Sequence, residues 1–216
     1  MADKTAAYPV TLSIDYPDRD LNRLTTFFRC FMIIPAAAIL ALLLGPEWGW
    51  SAGESDWVGH GWRFVFVTGT FLFLPTLLMI LFRRKYPRWW FDWNVNVTKF
   101  SARVSAYAAL LADEYPSTER EQSVHIEIPF PDVKNDLKPG MPLVKWFLAI
   151  PHWFLLFFLG IGAAFCVFIA WFAILFTGRF PRGLFNYVVG VGRWGLRVSA
   201  YAFLLVTDVY PPFSLE

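Results

Sequence analysis

The sequence predicts an all-α membrane protein built of two parallel repeats. Each repeat reads as a short β-strand, a hairpin of membrane helices and an amphipathic interfacial helix, with four membrane segments in total. Three observations predict it. Of the 216 residues, 56% are hydrophobic and only 17% charged, where a soluble domain carries about a quarter charged residues. Charge-free runs fill residues 30–45, 64–82 and 146–178. The phrase RVSAY occurs twice, at Arg103–Tyr107 and Arg197–Tyr201, each time followed by a leucine pair and then by Tyr-Pro. Eleven Trp and twenty-three Phe are more than so small a core buries, and they suit lipid-facing and interfacial positions.

The first element is a strand over 9–17, in which Val10, Leu12, Ile14 and Tyr16 alternate with mostly polar residues; its counterpart over 123–131 carries Val124, Ile126, Ile128 and Phe130 on the same period. The two strands are expected to pair, with Pro129 limiting the second. Residues 1–23 hold Asp3, Asp15, Asp18 and Asp20 and no apolar h-region, so a soluble segment rather than a cleavable signal peptide is expected ahead of the first apolar run. Membrane helices follow at about 24–45 and 62–83 in the first repeat and at about 141–160 and 162–178 in the second. Residues 146–178 are charge-free for thirty-three positions. A span needs about 20, so the run is read as a hairpin turning at Gly160-Ile161-Gly162, with Lys145 snorkelling to lengthen its first leg. A half-inserted re-entrant hairpin is the alternative. Pro35 and Pro151 are expected to kink the two leading helices. Cys30 and Cys166 lie inside apolar runs and read as buried free thiols.

Basic residues assign the sides. Arg19, Arg23 and Arg29 precede the first segment, and Arg83, Arg84, Lys85 and Arg88 follow the second. Lys134, Lys138 and Lys145 precede the third, and Arg179 and Arg182 follow the fourth. The loop between the first two segments holds Glu47, Glu54 and Asp56 and no Lys or Arg. The positive-inside rule puts that loop outside and both termini in the cytoplasm of a bacterial inner membrane, multi-pass. The repeats divide the chain at 1–118 and 119–216. Val10–Asp18 matches Val124–Asp132, Arg29–Pro35 matches Lys145–Pro151, and Tyr86-Pro-Arg88 matches Phe180-Pro-Arg182. Like charge polarity makes them parallel repeats about an axis along the membrane normal.

The closing helices, about 88–112 and 182–206, each carry a polar stripe: Asp92, Asn96, Lys99, Arg103 and Tyr107, then Asn186, Gly190, Arg193, Arg197 and Tyr201. The opposite faces are small, with Thr98, Ser101 and Ser105 matched by Gly192, Gly195 and Ser199; such faces admit close helix packing. A helix of this kind rests on the cytoplasmic interface. Lys99, Arg103, Tyr107, Arg193, Arg197 and Tyr201 are therefore the candidate residues for binding lipid headgroups or a partner. Simple snorkelling of the arginines is the plainer reading, and buried pairs of Arg103 with Asp92 or Arg197 with Asp208 are a third.

The stretch AWFAILFTGRFPRGLF (170–185) followed by RWGLRVSAYAFLLVTDVYPPFSL (193–215) resembles a bacterial integral-membrane family catalogued as a domain of unknown function, the four-three-eight-nine family. The resemblance covers about 141–215. The first repeat is more distant, with LFRRKYPRWWFDW where the second has LFTGRFPRGLFNY. It implies a membrane protein of two tandem copies and supplies no activity.

Reactive chemistry is sparse. His60, His125 and His152 belong to the outer loop, a strand and a membrane helix, so they do not converge on one metal. His152, beside Pro151, is the one candidate cofactor ligand, as an axial ligand to a haem or pigment, against the plainer reading of a hydrogen bond to a neighbouring helix. The chain has no P-loop, dinucleotide fingerprint or G-x-S-x-G, and its basic residues flank spans rather than forming a nucleic-acid patch. The expected function is a non-enzymatic accessory or scaffold subunit of a larger inner-membrane assembly. Its expected partners are membrane lipids and other integral membrane subunits or further copies of itself, with bound phospholipid and no other cofactor. A lipid-handling or small-solute transport protein is the alternative, and a haem- or pigment-complex subunit the third reading.

Overall fold

The computed structural model describes residues 8–17, 21–44, 74–118, 120–133, 137–138 and 140–216. The expected outer loop, His60 and most of the second membrane segment lie outside the described residues, as do Arg19 and Lys134. The order of elements is β1 (Thr11–Ile14), α1 (Arg23–Met32), α2 (Ile34–Leu44), α3 (Leu74–Arg83), α4 (Arg88–Ala108), β2 (Val124–Glu127), α5 (Met141–Thr177) and α6 (Arg182–Ala202). The chain is mostly helical. Among the described residues two stretches are long and apolar enough to cross a membrane, Arg23–Leu43 and Met141–Thr177.

The strands pair antiparallel, with Leu12 opposite Ile126 and Ile14 opposite Val124. Val10, Leu12, Val124 and Ile126 are buried, so the period-2 reading holds, and β2 stops two residues before Pro129. Asn22 caps α1, its side chain accepting from the amides of Leu24 and Thr25. The leading helix is interrupted at Ile33, which remains in the αR region; Pro35, lacking an N–H, removes one rung of the ladder there.

The hairpin expected at Gly160-Ile161-Gly162 does not form. Residues 141–177 are one continuous helix, α5, which runs through both Pro151 and the glycine pair. Gly162 provides clearance rather than a turn: a Cβ there would lie 2.7 Å from the Tyr187 hydroxyl, which donates to the Leu159 carbonyl. The length of the charge-free run misled the sequence reading. A helix of this size is about 55 Å long at 1.5 Å per residue, well beyond the ~30 Å hydrocarbon core.

α4 and α6 each begin directly after a proline, Pro87 and Pro181, which pre-sets φ at the helix entry. Each is followed within three residues by a left-handed leucine, Leu110 with φ 64° and Leu205 with φ 55°. Leucine there is uncommon, and burial of both side chains holds the conformation. Two cores flank the sheet. One joins the start of α6, Phe185, to the end of α4, Ala106 and Leu110, through Ile174 and Phe180. The other joins the start of α4, Phe91, to the end of α6, Ala200 and Leu205, through Ile80 and Tyr86. The small-residue faces are not close helix contacts throughout: Ser105 and Gly192 are exposed, Thr98, Ser101, Gly195 and Ser199 are half-buried, and a Cβ at Gly195 meets nothing within 4 Å. The buried residues of α4 and α6 are mostly aromatic and aliphatic. Cys30 is a free thiol but exposed rather than buried.

Candidate functional site

Two buried cations organise the molecule. Arg29, near the end of α1, is 3% exposed. Its guanidinium lies 4.4 Å from the centroid of the Tyr107 ring, and its Nη1 donates to the carbonyls of Tyr107 and Ala112 at 3.1 Å each. Nη2 forms an ion pair with Asp113 Oδ1, whose Oδ2 accepts from the amide of Asn22 at 3.0 Å. Lys145, in the first turns of α5, is fully buried. Its Nζ lies 5.2 Å from the Tyr201 centroid, donates to the Thr207 carbonyl at 2.8 Å and pairs with Asp208 Oδ1 at 2.7 Å. Asp208 Oδ2 accepts from the amide of Lys138 at 2.8 Å. In each case a carboxylate ties a long apolar stretch's cation to the backbone at that stretch's entry, under a tyrosine face. The left-handed leucines turn the chain so that carbonyls 112 and 207 reach the cations. Tyr115 and Tyr210 each close the cluster edge-on against Tyr107 and Tyr201.

The candidate residues from the sequence separate here. Tyr107 and Tyr201 are core members of these clusters, and burial pushes both phenols up from their ordinary pKa. Arg103 donates to the Ser117 carbonyl at 2.5 Å, not to Asp92, which is exposed. Arg193 donates to the carbonyls of Leu12 and Leu215. Arg197 lies 5.9 Å from the Tyr8 ring centroid, with burial and then neighbouring Arg193 holding it below the usual guanidinium range. The carboxylate expected to pair with Arg197, Asp208, belongs to Lys145, which is therefore paired and buried rather than snorkelling. Lys99 is half-buried.

His152 is buried in an aromatic box. Its Nδ1 accepts from Trp194 Nε1 at 3.1 Å, and Phe213 stacks on it with centroids 4.1 Å apart and planes 15° from parallel. His125 sits on β2 with Nε2 3.1 Å from Asp15 Oδ2, so the two described histidines are apart. Among the described residues no three His, Cys, Asp or Glu side chains group to hold a metal.

One cleft, of about 780 Å³, opens beside the first cation cluster. Ala36, Ile39 and Phe100 form its floor, and the chain from Glu114 to Thr118 and from Arg120 to Gln122 its wall. Gln122 braces that wall, accepting from the Ser117 amide and donating to the Tyr115 carbonyl. The sequence reading missed both the cleft and the cation clusters. The clusters had a signal: Asp-x-Tyr-Pro occurs at Asp113–Pro116 and at Asp208–Pro211, matching the repeated cation at 29 and 145.

Residues 142–214 match the family described as Domain of unknown function (DUF4389), in one copy. No curated protein and no solved structure matches the chain.

Proposed function

We propose that the protein is a non-enzymatic scaffold or accessory subunit of a bacterial inner-membrane assembly, made of two tandem repeats about a pseudo-twofold axis. The observation that carries the repeat is the pair of cation clusters, alike in cation, tyrosine, carbonyl, carboxylate and amide. The strand register agrees, because the matched residues Leu12 and Ile126 lie opposite each other, as an isologous pairing requires. The same axis bears on the membrane arrangement. The Gly178 carbonyl at the end of α5 accepts from the amide of Leu21 at the entry of α1, and the axis relates the entry of α1 to the entry of α5. With that axis along the membrane normal, both ends of α5 share one level, so the continuous helix lies along the cytoplasmic face, on the side of both termini, instead of crossing.

The scaffold role is supported by apolar surface. Phe147, Phe154, Phe158, Phe165, Phe168 and Phe176 are all exposed along α5, a face that lipid tails and neighbouring membrane subunits would cover. Headgroup contacts fall to the exposed Arg83, Arg84 and Lys85 rather than to the guanidinium groups already bound to the chain's own carbonyls. Native mass spectrometry of the complex extracted in mild detergent tests the role. A stoichiometric partner subunit is expected, and a bare monomer at all detergent strengths would refute it. Cysteine labelling that reaches Gly140 and Arg179 from opposite sides of the membrane would overturn the arrangement of α5.

A further inference from the structure

The turns that close α3 and α5 hold matched places, two residues before Tyr86-Pro87-Arg88 and before Phe180-Pro181-Arg182. Each turn has one left-handed residue, Arg84 with φ 47° and Gly178 with φ 77°. Each of these amides donates to the carbonyl four residues back, Arg84 to Ile80 at 3.1 Å and Gly178 to Ile174 at 2.8 Å. Glycine is the ordinary residue at such a helix end, because a Cβ crowds the left-handed backbone. Burial of the side chain offsets that crowding at Leu110 and Leu205. Arg84 is exposed, so packing offsets nothing there. The helix dipole favours cations at this end of α3, but Arg83 and Lys85 already meet it from either side.

What the arginine adds is a third charge. Arg83, Arg84 and Lys85 are consecutive and exposed, where the matched turn reads Thr177-Gly178-Arg179. No ion pair among the described residues involves any of the three, in contrast to Arg29 and Lys145. Leu74, Leu78 and Phe82 are exposed, and their four-residue spacing sets them on one face of α3 leading up to the cations. We infer that this turn binds an anionic phospholipid of the inner leaflet, its phosphate among the three cations and an acyl chain along Phe82 and Leu78. The inference rests on the membrane reading above and names the lipid. A zwitterionic phospholipid is the poorer occupant, since its own ammonium would meet three like charges. The matched turn is closed to such a ligand: Gly178 is buried and its carbonyl accepts from the Leu21 amide.

The test titrates the full chain, delipidated in a nonionic detergent, with dioleoylphosphatidylglycerol or dioleoylphosphatidylcholine. Native mass spectrometry reads the first lipid bound. The anionic lipid is expected to bind about tenfold more tightly or better. Binding should weaken about fivefold for each cation removed, as one Lys or Arg contributes near an anionic surface. The combined variant Arg83→Gln, Arg84→Gln and Lys85→Gln should therefore lose the preference. Arg120→Gln, which removes an exposed charge elsewhere, should leave it within twofold. Arg84→Gly separates binding from folding, because it should weaken binding about fivefold while raising the unfolding midpoint of the delipidated chain. Equal binding of the two lipids, a preference that survives the triple change, or a lowered midpoint in Arg84→Gly overturns the proposal. So does displacement of the lipid by inorganic phosphate, which would make the turn a site for a soluble anion. Failure of the membrane reading would appear separately, as a chain that stays monodisperse in buffer without detergent, whichever lipid it binds.

Discussion

Arg29 and Lys145 hold matched places in the two halves, and the halves use them differently. Arg29 spreads its fork over two carbonyls and a carboxylate beside an open cleft. Lys145 has one carbonyl and one carboxylate, and no exposed surface at all. A guanidinium is weakly hydrated and satisfies several acceptors at once, whereas an ammonium is a compact, strongly hydrated charge. The half that buries the ammonium completely is also the half whose tail folds back over His152. Closure and cation choice go together.

The largest expected effect breaks that pairing. Asp208→Ala strands a buried ammonium with one carbonyl, and removing one partner of a buried pair costs about 3–5 kcal/mol. Asp113→Ala leaves Arg29 both carbonyls and is expected to cost roughly half as much. The double change Lys145→Leu with Asp208→Leu should recover most of the loss, since well-packed apolar replacements of buried pairs are often neutral. Equilibrium unfolding in micelles measures all three. Equal losses for the two aspartates would mean that the clusters are energetically interchangeable, and the contrast between halves would go.

A smaller effect tests the tail. Phe213 is about half exposed, so Phe213→Ala forfeits less than a buried ring and is expected to cost about 1–2 kcal/mol, mostly the stacking on His152 and the edge contact with Trp194. Water reaching the indole should shift Trp194 emission to the red. Thr118→Ala, at the position that the proposed repeat matches to Phe213, should leave stability unchanged.

What could be read in advance followed from local rules. Period-2 alternation located both strands, and the prolines at 87 and 181 located the starts of α4 and α6. The cation clusters were not read because Arg29 and Asp113 are 84 residues apart, and a cation at the edge of an apolar run looks like a topology anchor. RVSAY drew the reading to its arginines, while the tyrosine of each phrase makes the contact. The glycines of α5 were misread for a related reason, since a glycine that breaks a helix and one that admits a neighbour look alike. They can be separated by experiment. Gly160→Ala meets nothing within 4 Å and should stabilise a continuous helix by about 0.5–1 kcal/mol. Gly162→Ala must displace the Tyr187 hydroxyl, and the lost bond to Leu159, about 0.5–1.5 kcal/mol, offsets the same helix gain, so it should be less stable than Gly160→Ala by about that amount. A destabilising Gly160→Ala would restore the hairpin.

The smallest contrast lies between Tyr86 and Phe180, matched residues at the turns that lead into α4 and α6. Both are buried, and only one can ionise. Burial pushes the Tyr86 phenol up to about 12 from its ordinary 10.0. The folded state therefore holds a proton that the unfolded chain releases sooner. Its contribution is complete below pH 10 and is lost as pH rises through about 12, by proton linkage. Burial also raises Tyr8, Tyr107 and Tyr201, so Tyr86→Phe should flatten the alkaline fall in stability without abolishing it. The difference in unfolding midpoint between Tyr86→Phe and wild type should be constant from pH 8 to pH 10 and should then shift in favour of the variant. An unchanged difference up to pH 12 would place the phenol in water and remove Tyr86 from the core that mirrors Phe180.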